Sequence, residues 1–387
     1  MFGQRVIQIE WYALLISVFS FPLFESPKTI FLLLSATAFI VRHAGERDLS
    51  RVLLRFDPRL GFLALAVSAA LSAFFAMKPG LAIKGCFDPL MMFFLFSIVA
   101  TDFSDEKSIV VIAWSVIAGT TAASAWGLAE VALQKRPLLE LHSVGHANHS
   151  SIYLVLSIWV ILCLFVARRA FAGRAVMSIS LACIISALIL TQSRATYLAL
   201  VLSIAGIFMF SGIHKRGIAA AATVVSIAIA ALWSYAYFAK PAALQKGISF
   251  ASIMMRFEHW QMAWQLFLHH PVVGIGAKSL RLYEPGMYGF VMTEKLSHAH
   301  NLFLNTLVHF GIVGFGALCW LFFLALRYIL GQSGYSIMRP AACAGLIIVV
   351  VNGMLNTTLH SEHGLLFALI LAMVVIKPEP VVKRRTC

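Results

Sequence analysis

Two histidines and two arginines have the types and spacing suited to proton transfer and phosphate binding. His298 and His300 stand two residues apart, directly before Asn301. A neutral imidazole, with an ordinary pKa of about 6.5, can accept a proton from a weakly acidic hydroxyl near neutral pH. Either histidine could be this base. Arg194, in a short polar turn, and Arg256, at the start of an amphipathic segment, each carry the planar fork that matches phosphate oxygens.

Other residues near these motifs are weaker candidates. Lys278 and Arg281 could contact phosphate or only solvate their loop. Gly274 and Gly276 lie in a turn after Pro271, where a backbone or a substrate can come close. Near the end of the chain, Glu362 and His363 could polarise a catalytic group. Arg194 also has a simpler interpretation, as an interfacial side chain that anchors two spans.

The composition identifies the elements that must position these residues. The 387 residues are 60% hydrophobic and only 12% charged, about half the charged share of an ordinary soluble protein. A mean hydropathy of +0.88 excludes a soluble globular domain, a disordered chain and a coiled coil. We therefore predict an all-α polytopic membrane protein in which residues 1–387 form a single transmembrane domain.

Apolar runs between charges predict about 12 transmembrane helices, since a span needs about 20 apolar residues. They lie near 9–25, 29–41, 59–77, 80–101, 108–132, 149–167, 175–193, 196–213, 217–238, 301–328, 338–357 and 362–376. The first run is expected to be a retained anchor rather than a cleaved signal. One long polar connection, 239–300, breaks the regular alternation.

The basic residues orient these spans. With the N-terminus inside, more than half of the 30 Lys and Arg fall in cytoplasmic loops, as the positive-inside rule requires. Both termini are therefore expected in the cytoplasm, and the 239–300 loop outside. The net charge of +14 then reports orientation and an outer positive surface suited to an anionic lipid, so no nucleic-acid partner is predicted.

The long outer loop is predicted to contain an interfacial helix. From Arg256 to Pro271, apolar side chains such as Phe257, Trp260 and Trp264 recur at helical spacing. A helix of this kind lies in the membrane surface with its tryptophans at the headgroup level.

Most of the 13 histidines fall on the outer side, where acidic residues are sparse. No DxD pair and no Asp in the outer loops is available to hold a divalent cation with a sugar diphosphate. His142, His146 and His149 have spacings that could ligate zinc, but they span a glycine-containing loop and lack a clear fourth ligand. We predict no metal and no other cofactor.

The strongest motif begins at His300-Asn301, which is followed by nine residues, Gly311, two more residues and Gly314. This pattern resembles the periplasmic motif of the O-antigen ligase family, within a wider group of membrane ligases and polymerases. Glycines one helical turn apart, such as these two, are expected to permit close helix packing.

Three further landmarks support the resemblance, which covers about residues 190–315. Arg194 lies in a TxSR-like turn at the outer end of a span, and Arg256 opens a Trp-containing helix that leads into an HPxxGxG-like sequence. Gly145-His-Ala-Asn148 is a weak match to an earlier loop of the family.

The resemblance implies a GT-C-like fold and an activity at the periplasmic face of the bacterial inner membrane. Members of the family transfer a finished glycan from undecaprenyl diphosphate to a sugar hydroxyl of lipid A–core, without a metal. His300 takes the position of the general base, and Arg194 and Arg256 take diphosphate-binding positions. From their positions near these motifs, the residues we predict to bind substrate are His298, Asn301, Lys278, Arg281, Gly274, Gly276 and Asn148. Direct attack on the anomeric carbon would invert its configuration.

Three other functions fit parts of the same pattern. An O-antigen polymerase uses a similar donor, but polymerases more often show two sizeable periplasmic loops. A bacterial O-oligosaccharyltransferase differs in taking a protein acceptor. A twelve-span transporter is disfavoured because no repeated halves appear and the ionisable residues gather at the outer surface rather than the membrane midplane.

Overall fold

The computed structural model describes residues 2–167, 171–210, 223, 250–283, 298–331 and 336–374. Within these ranges all regular elements are helices, and the one β-bridge joins Leu141 to Gly145. The predicted all-α class is therefore confirmed.

The described ranges contain fourteen α-helices and two short 3₁₀ turns, Ile83–Cys86 and Ser279–Leu282. The helices are α1 Phe2–Ser20, α2 Glu25–Gly45, α3 Leu49–Leu53, α4 Pro58–Phe74, α5 Pro79–Ala82, α6 Phe87–Asp102, α7 Glu106–Ala132, α8 Ala147–Ala167, α9 Phe171–Thr191, α10 Arg194–Phe210, α11 Phe250–His269, α12 Leu302–Gly331, α13 Arg339–Gly353 and α14 Ser361–Ala372.

Eleven of the twelve predicted spans coincide with helices, and the other, 217–238, lies outside the described residues apart from Thr223. Five helical segments are long and apolar enough to cross a membrane: Pro79–Asp102, Glu106–Ala132, Ala147–Ala167, Ala172–Thr191 and Leu302–Gly331. Four shorter helices, α4, α10, α13 and α14, are apolar as well. These helices indicate a multi-pass membrane protein, while the full number of spans stays a prediction.

Local sequence explains where several helices begin. Asp57 caps α4 by accepting the backbone N–H of Arg59, and Pro58 occupies the first turn, where its missing N–H costs nothing. Asp105 caps α7 by accepting the N–H groups of Lys107 and Ser108. Both caps follow from an Asp directly before an apolar run.

α8 and α14 form the centre of the molecule. Nearly every side chain of α8 is buried, including Tyr153 and Trp159, and α14 is buried along its whole length. Around them α6 packs on α14, α13 on α10, α4 on α12, and α1 on α2. This arrangement places the N-terminal ends of α8 and α14 side by side.

α12 is interrupted at Gly311, whose backbone (φ 63°, ψ −163°) is not helical. The segment Pro271–Gly276 fills this break. Ile275 and Gly276 donate their N–H groups to the carbonyls of Val308 and His309, and Ile312 donates to the carbonyl of Pro271. The backbone groups freed by the break are thereby satisfied, as a broken helix at membrane depth requires.

The role predicted for the two glycines of α12 needs correction. Gly311 admits the backbone of a loop rather than a second helix, because a Cβ there would meet the carbonyl of Val272. Gly314 faces the Phe310 side chain of its own helix. The HPxxGxG-like turn and the glycine motif of α12 therefore form one interlocked unit.

Candidate functional site

Six helices begin at the same end of the molecule, which we call the histidine end. The first turns of α2, α6, α8, α12 and α14 line one cavity there, and α10 is joined to α8. Lys28 of α2 is ion-paired with Glu362 of α14. In the same turn of α14, the backbone N–H of Ser361 donates to the carboxylate of Asp88 of α6 at 3.2 Å. Ser151 of α8 hydrogen-bonds Thr196 of α10 at 2.7 Å. The positive ends of six helix dipoles therefore face one region, which favours an anionic ligand.

His300 lies in a group of three histidines, the His300 trio: His259, His298 and His300. The ring centres of His298 and His300 are 4.1 Å apart, and His259 stacks on His300 at 5.6 Å. Burial, followed by the positive charges of its histidine neighbours and of Arg256, lowers the pKa of His300 to about 3. Burial and the nearby histidines lower the pKa of His298 to about 4. Both imidazoles are therefore neutral at ordinary pH.

The backbone holds His300 in an unusual conformation. Its φ of 48° is left-handed, which costs a non-glycine residue about 1–3 kcal/mol. Asn301, the next residue, caps α12 by accepting the N–H groups of Phe303 and Leu304, and its amide donates to the carbonyl of Met354. The described partners of Asn301 are thus backbone groups, so this residue positions the start of α12, and its predicted contact with substrate stays a prediction.

Arg256 belongs to the same site as His300. It lies in the second turn of α11, partly buried, where its charge acts on the imidazole of His300. The predicted amphipathic helix is present as α11 and begins earlier than expected, at Phe250. Phe257, Trp264 and Leu268 are exposed on it, whereas Met262 and Leu266 are buried against the rest of the chain.

The two other loop cations lie at the rim of this site. Arg281 is exposed, and its charge acts on His298. Lys278 is exposed as well and has a left-handed backbone, φ 58°, at the start of the 3₁₀ turn Ser279–Leu282. Neither side chain is drawn into the His300 trio as Arg256 is.

Arg194 is positioned by a different set of contacts. It is the first residue of α10 and is exposed. The turn before it is fixed by Thr196, whose hydroxyl hydrogen-bonds Ser151, Ser193 and the amide oxygen of Asn352. Ser151 also donates to the carbonyl of Asn148, so the Arg194 turn is tied to the first turn of α8 and hence to the histidine end.

A second group of histidines lies beside the first. We call it the His149 trio: His149 on α8, and His360 and His363 at the start of α14. Their ring centres are 4.5 to 5.2 Å apart. The charge of His360 also acts on His298, which links the two trios electrostatically. Only the tertiary structure could reveal this trio, since His149 and His360 are far apart in the sequence.

Glu362 is part of a buried network that the sequence did not predict. It is 1% exposed, is ion-paired with Lys28 and accepts the hydroxyl proton of Ser143 at 2.7 Å. Lys28 is therefore a buried partner of Glu362, and together they tie α2 and the 141–145 loop to α14. An isolated Lys in a predicted interhelical loop gave no signal for this pairing.

A cavity of about 880 Å³ opens beside the histidines. Its lining includes His149, His298, His360, Lys278 and Arg281. Asp88, in the first turn of α6, lines it as well. Asp88 falls inside the predicted span 80–101 and not in a loop, so it was not among the loop residues considered from the sequence.

Gly274 and Gly276 permit a close approach of other parts of the chain. Both have positive φ angles, 70° and 86°. A Cβ on Gly274 would collide with the backbone of His309 and Phe310, and one on Gly276 would meet the side chains of Ala76 and Ala82. The close approach of a backbone that the sequence allowed is therefore the interlock with α12, and a part for these glycines in the substrate site stays a prediction.

The zinc triad considered from the sequence is not assembled. The His142 ring stacks on Trp126, with centres 4.7 Å apart, while His146 and His149 are 6.0 Å apart. Among the described residues, the one group with three ligand atoms within 4.8 Å of each other is His43, Glu46 and Asp48, on the other side of the molecule.

Comparison with protein families provides an independent test of the sequence motifs. Residues 179–319 match the family model described as Wzy_C: O-Antigen ligase. The match confirms the resemblance to the O-antigen ligase family. The matched O-antigen ligase region includes the whole stretch predicted to carry the resemblance, 190–315. A comparison with curated proteins found no match.

The O-antigen ligase region contains one part of the site and not the other. Arg194, Arg256, the His300 trio and the interlock between Pro271–Gly276 and α12 all fall inside residues 179–319. His149, His360, His363, Asp88 and Glu362 fall outside it. The family match therefore supports ligase- or polymerase-type glycosyl transfer and does not extend to the His149 trio.

Proposed function

We propose that the protein is an O-antigen ligase of the bacterial inner membrane, with its active site at the periplasmic face. It would transfer a glycan en bloc from undecaprenyl diphosphate to a sugar hydroxyl of lipid A–core. The observation that carries this proposal is the placement of Arg256 beside His300 in a family-matched region. One cation suited to phosphate and one neutral base then lie within reach of the same reacting centre.

In the proposed reaction His300 takes the proton of the acceptor hydroxyl as that oxygen attacks the anomeric carbon. The bond from that carbon to the diphosphate oxygen breaks, and undecaprenyl diphosphate leaves with the electron pair. The diphosphate needs no proton because it is already ionised. Arg256 and Arg194 are proposed to stabilise the negative charge that grows on it, and in-line attack inverts the configuration.

The low pKa of His300, about 3, gives this base a dependence on the donor. In the free protein the imidazole is neutral but weakly basic. A diphosphate bound at Arg256 brings negative charge close to the ring, which favours the imidazolium and raises the pKa of His300. The basicity of His300 would therefore rise only when the donor is bound, and the imidazole would stay unprotonated in the empty site.

Direct transfer with purified components is the test. The full chain in detergent is mixed with an undecaprenyl-diphosphate-linked glycan and lipid A–core, with and without a chelator. We expect glycan on lipid A–core in both samples. Longer lipid-linked chains without modified core would identify a polymerase instead. In cells, a ligase mutant accumulates lipid-linked polymer, whereas core bearing a single repeat unit would contradict ligase activity.

Arg256→Lys tests whether Arg256 must bind phosphate in a bidentate manner or need only supply a positive charge. Lysine keeps the charge but loses the bidentate geometry, so we expect the transfer rate to fall by about a hundredfold, as for loss of one preorganised donor. Arg136→Lys is the matched control, because Arg136 forms salt bridges with Glu130 and Glu140 away from the His300 trio. Equal rates in the two variants would reduce Arg256 to a surface anchor.

A further inference from the structure

The three rings of the His149 trio have the spacing of a three-histidine metal site. Their centres are 4.7 Å apart for His149 and His360, 5.2 Å for His149 and His363, and 4.5 Å for His360 and His363. With zinc–nitrogen bonds of about 2.1 Å and tetrahedral angles, the ring centres of three ligands lie roughly 5 Å apart. We propose that His149, His360 and His363 bind one Zn²⁺ ion.

The ring positions are preformed, whereas the ring orientations are not. The group whose ligand atoms already lie within 4.8 Å of each other is the one at His43, so the nitrogens of the trio must turn to share a metal. The Cβ–Cγ bond of histidine points at the centre of its ring. Rotation about this bond therefore swings the nitrogens while the ring centre stays nearly fixed, and this torsion has broad minima.

His363 supplies an independent reason to expect a ligand. The side chain is fully buried, and neither ring nitrogen has a partner with hydrogen-bond geometry among the described residues, although the Thr357 backbone lies close enough to act on the ring. A buried polar atom left unpaired costs about 1–3 kcal/mol. Coordination of a metal by one nitrogen would remove part of that cost, and a neutral imidazole is the form that binds metals.

Two carboxylates beside the trio counter the positive helix ends at this side of the molecule. The carboxylates of Asp88 and Glu362 both favour positive charge at His360, and one oxygen of Glu362 is buried without a hydrogen-bond partner among the described residues. His149 and His360 line the 880 Å³ cavity, which offers an entry path and space for a water as fourth ligand. Left-handed residues on both sides of His360, Leu359 and Ser361, fix the backbone that carries it.

The group at His43 is a poorer site despite its closer atoms. Both nitrogens of His43 already contact carboxylates, at 2.7 Å from Asp48 and 3.3 Å from Asp102. Arg42 is ion-paired with Asp102 and adds a positive charge at the same place. A metal there would have to displace existing ion pairs, whereas no ion pair is described for the rings of the His149 trio.

Binding of Co²⁺ as an optical probe tests the proposal without any reference to glycan transfer. The full chain in detergent is treated with a chelator, dialysed and titrated with Co²⁺, which absorbs visible light strongly in tetrahedral sites. We expect one equivalent to bind and Zn²⁺ to displace it. His363→Gln should weaken binding at least tenfold, about the effect of disturbing a metal site's supporting residues. His43→Gln is the matched control and should bind normally.

Three outcomes would overturn the proposal: no saturable binding, binding that survives His363→Gln, or binding that is lost in His43→Gln. His149→Gln, on a different helix, repeats the test if His363→Gln does not fold. Thermal unfolding gives the second readout, because an ion that binds only the folded chain raises its unfolding temperature. Zn²⁺ should do so for the native chain and not for either trio variant. Metal binding can fail while glycan transfer succeeds, and the reverse.

Discussion

The two ends of α6 show how differently this protein treats buried charge. Asp102, at the C-terminal end, joins Glu10, Arg42, His43 and Asp48 in what we call the paired cluster, where each charged group has an opposite partner. Asp88, about 20 Å away along the same helix, lies beside histidines that mostly contact one another. Matched pairs are typical of groups that hold a structure together, whereas groups that lack them are typical of binding sites.

The contrast concerns histidine most of all. His43 in the paired cluster has a carboxylate at each nitrogen, which fixes its ring. His300 has imidazoles and a guanidinium as neighbours instead, and burial together with these groups lowers its pKa and keeps the ring neutral. Four predictions, from the largest expected effect to the smallest, test whether the two ends really divide chemistry from structure.

His300→Ala should give the largest loss of activity. Removing a general base costs about a hundredfold to ten-thousandfold in rate, while donor binding should persist because Arg256 and Arg194 remain. The measurement is initial transfer rate together with donor binding in detergent. His142→Ala, which alters an exposed histidine stacked on Trp126, is the control and should transfer normally. Near-normal transfer by His300→Ala would show that His300 is not the general base and would leave His298 as the candidate.

Arg42→Ala should damage the fold more than the chemistry. It leaves the buried carboxylates of Glu10 and Asp102 without their cation, which costs about 3–5 kcal/mol when one partner of a buried pair is removed. We expect a large fall in unfolding temperature, and near-normal transfer at low temperature in the fraction that stays folded. A stable but inactive variant would show that the paired cluster also takes part in function.

Gly274→Ala tests the interlock that supports the His300 trio. The position has φ 70° and no room for a Cβ beside His309, so we expect a loss of about 1–3 kcal/mol in stability and reduced transfer. Gly80→Ala is the matched control, since a Cβ there meets nothing within 4 Å. If the two variants unfold at the same temperature, the turn is not held as tightly as described.

Acid pH should destabilise the histidine end selectively. The pKa values of His298 and His300 are lowered in the fold to about 4 and 3. As the pH falls, these histidines are therefore protonated in the unfolded state before they are protonated in the folded state. Their contribution to stability is complete above about pH 6.5 and is lost as pH falls toward these values, at about 1.4 kcal/mol per pH unit for each group. His298→Asn should flatten the dependence of unfolding temperature on pH near pH 5. An unchanged slope would contradict the lowered pKa.

The motifs and the helices could be predicted because they are local. An apolar run of about 20 residues encloses its own backbone hydrogen bonds wherever it packs, so span positions follow from composition along the chain. The same holds for α11, whose amphipathic pattern is visible between Arg256 and Pro271. His300, Arg256 and Arg194 were found because their short motifs resemble a family, and residues 179–319 match that family.

The glycines of the HPxxGxG-like turn illustrate where this reasoning stops. Sequence shows that Gly274 and Gly276 permit a close approach, but it does not show what approaches. In the structure it is the broken backbone of α12, which needs donors and acceptors at Gly311. Asn301 is similar: an Asn beside a candidate base suggests a ligand contact, and the structure adds that it caps the helix beginning at the next residue, Leu302.

The sequence by itself determined the class of protein, the helices and the residues that resemble a glycosyl-transfer site, since these depend on local pattern. Only the tertiary structure decided that His149, His360 and His363 meet, that Lys28 pairs with Glu362, and that Asp88 faces the histidines. These contacts join helices separated by up to several hundred residues. They depend on which helix packs beside which, and no local pattern of apolar and polar residues encodes that choice directly.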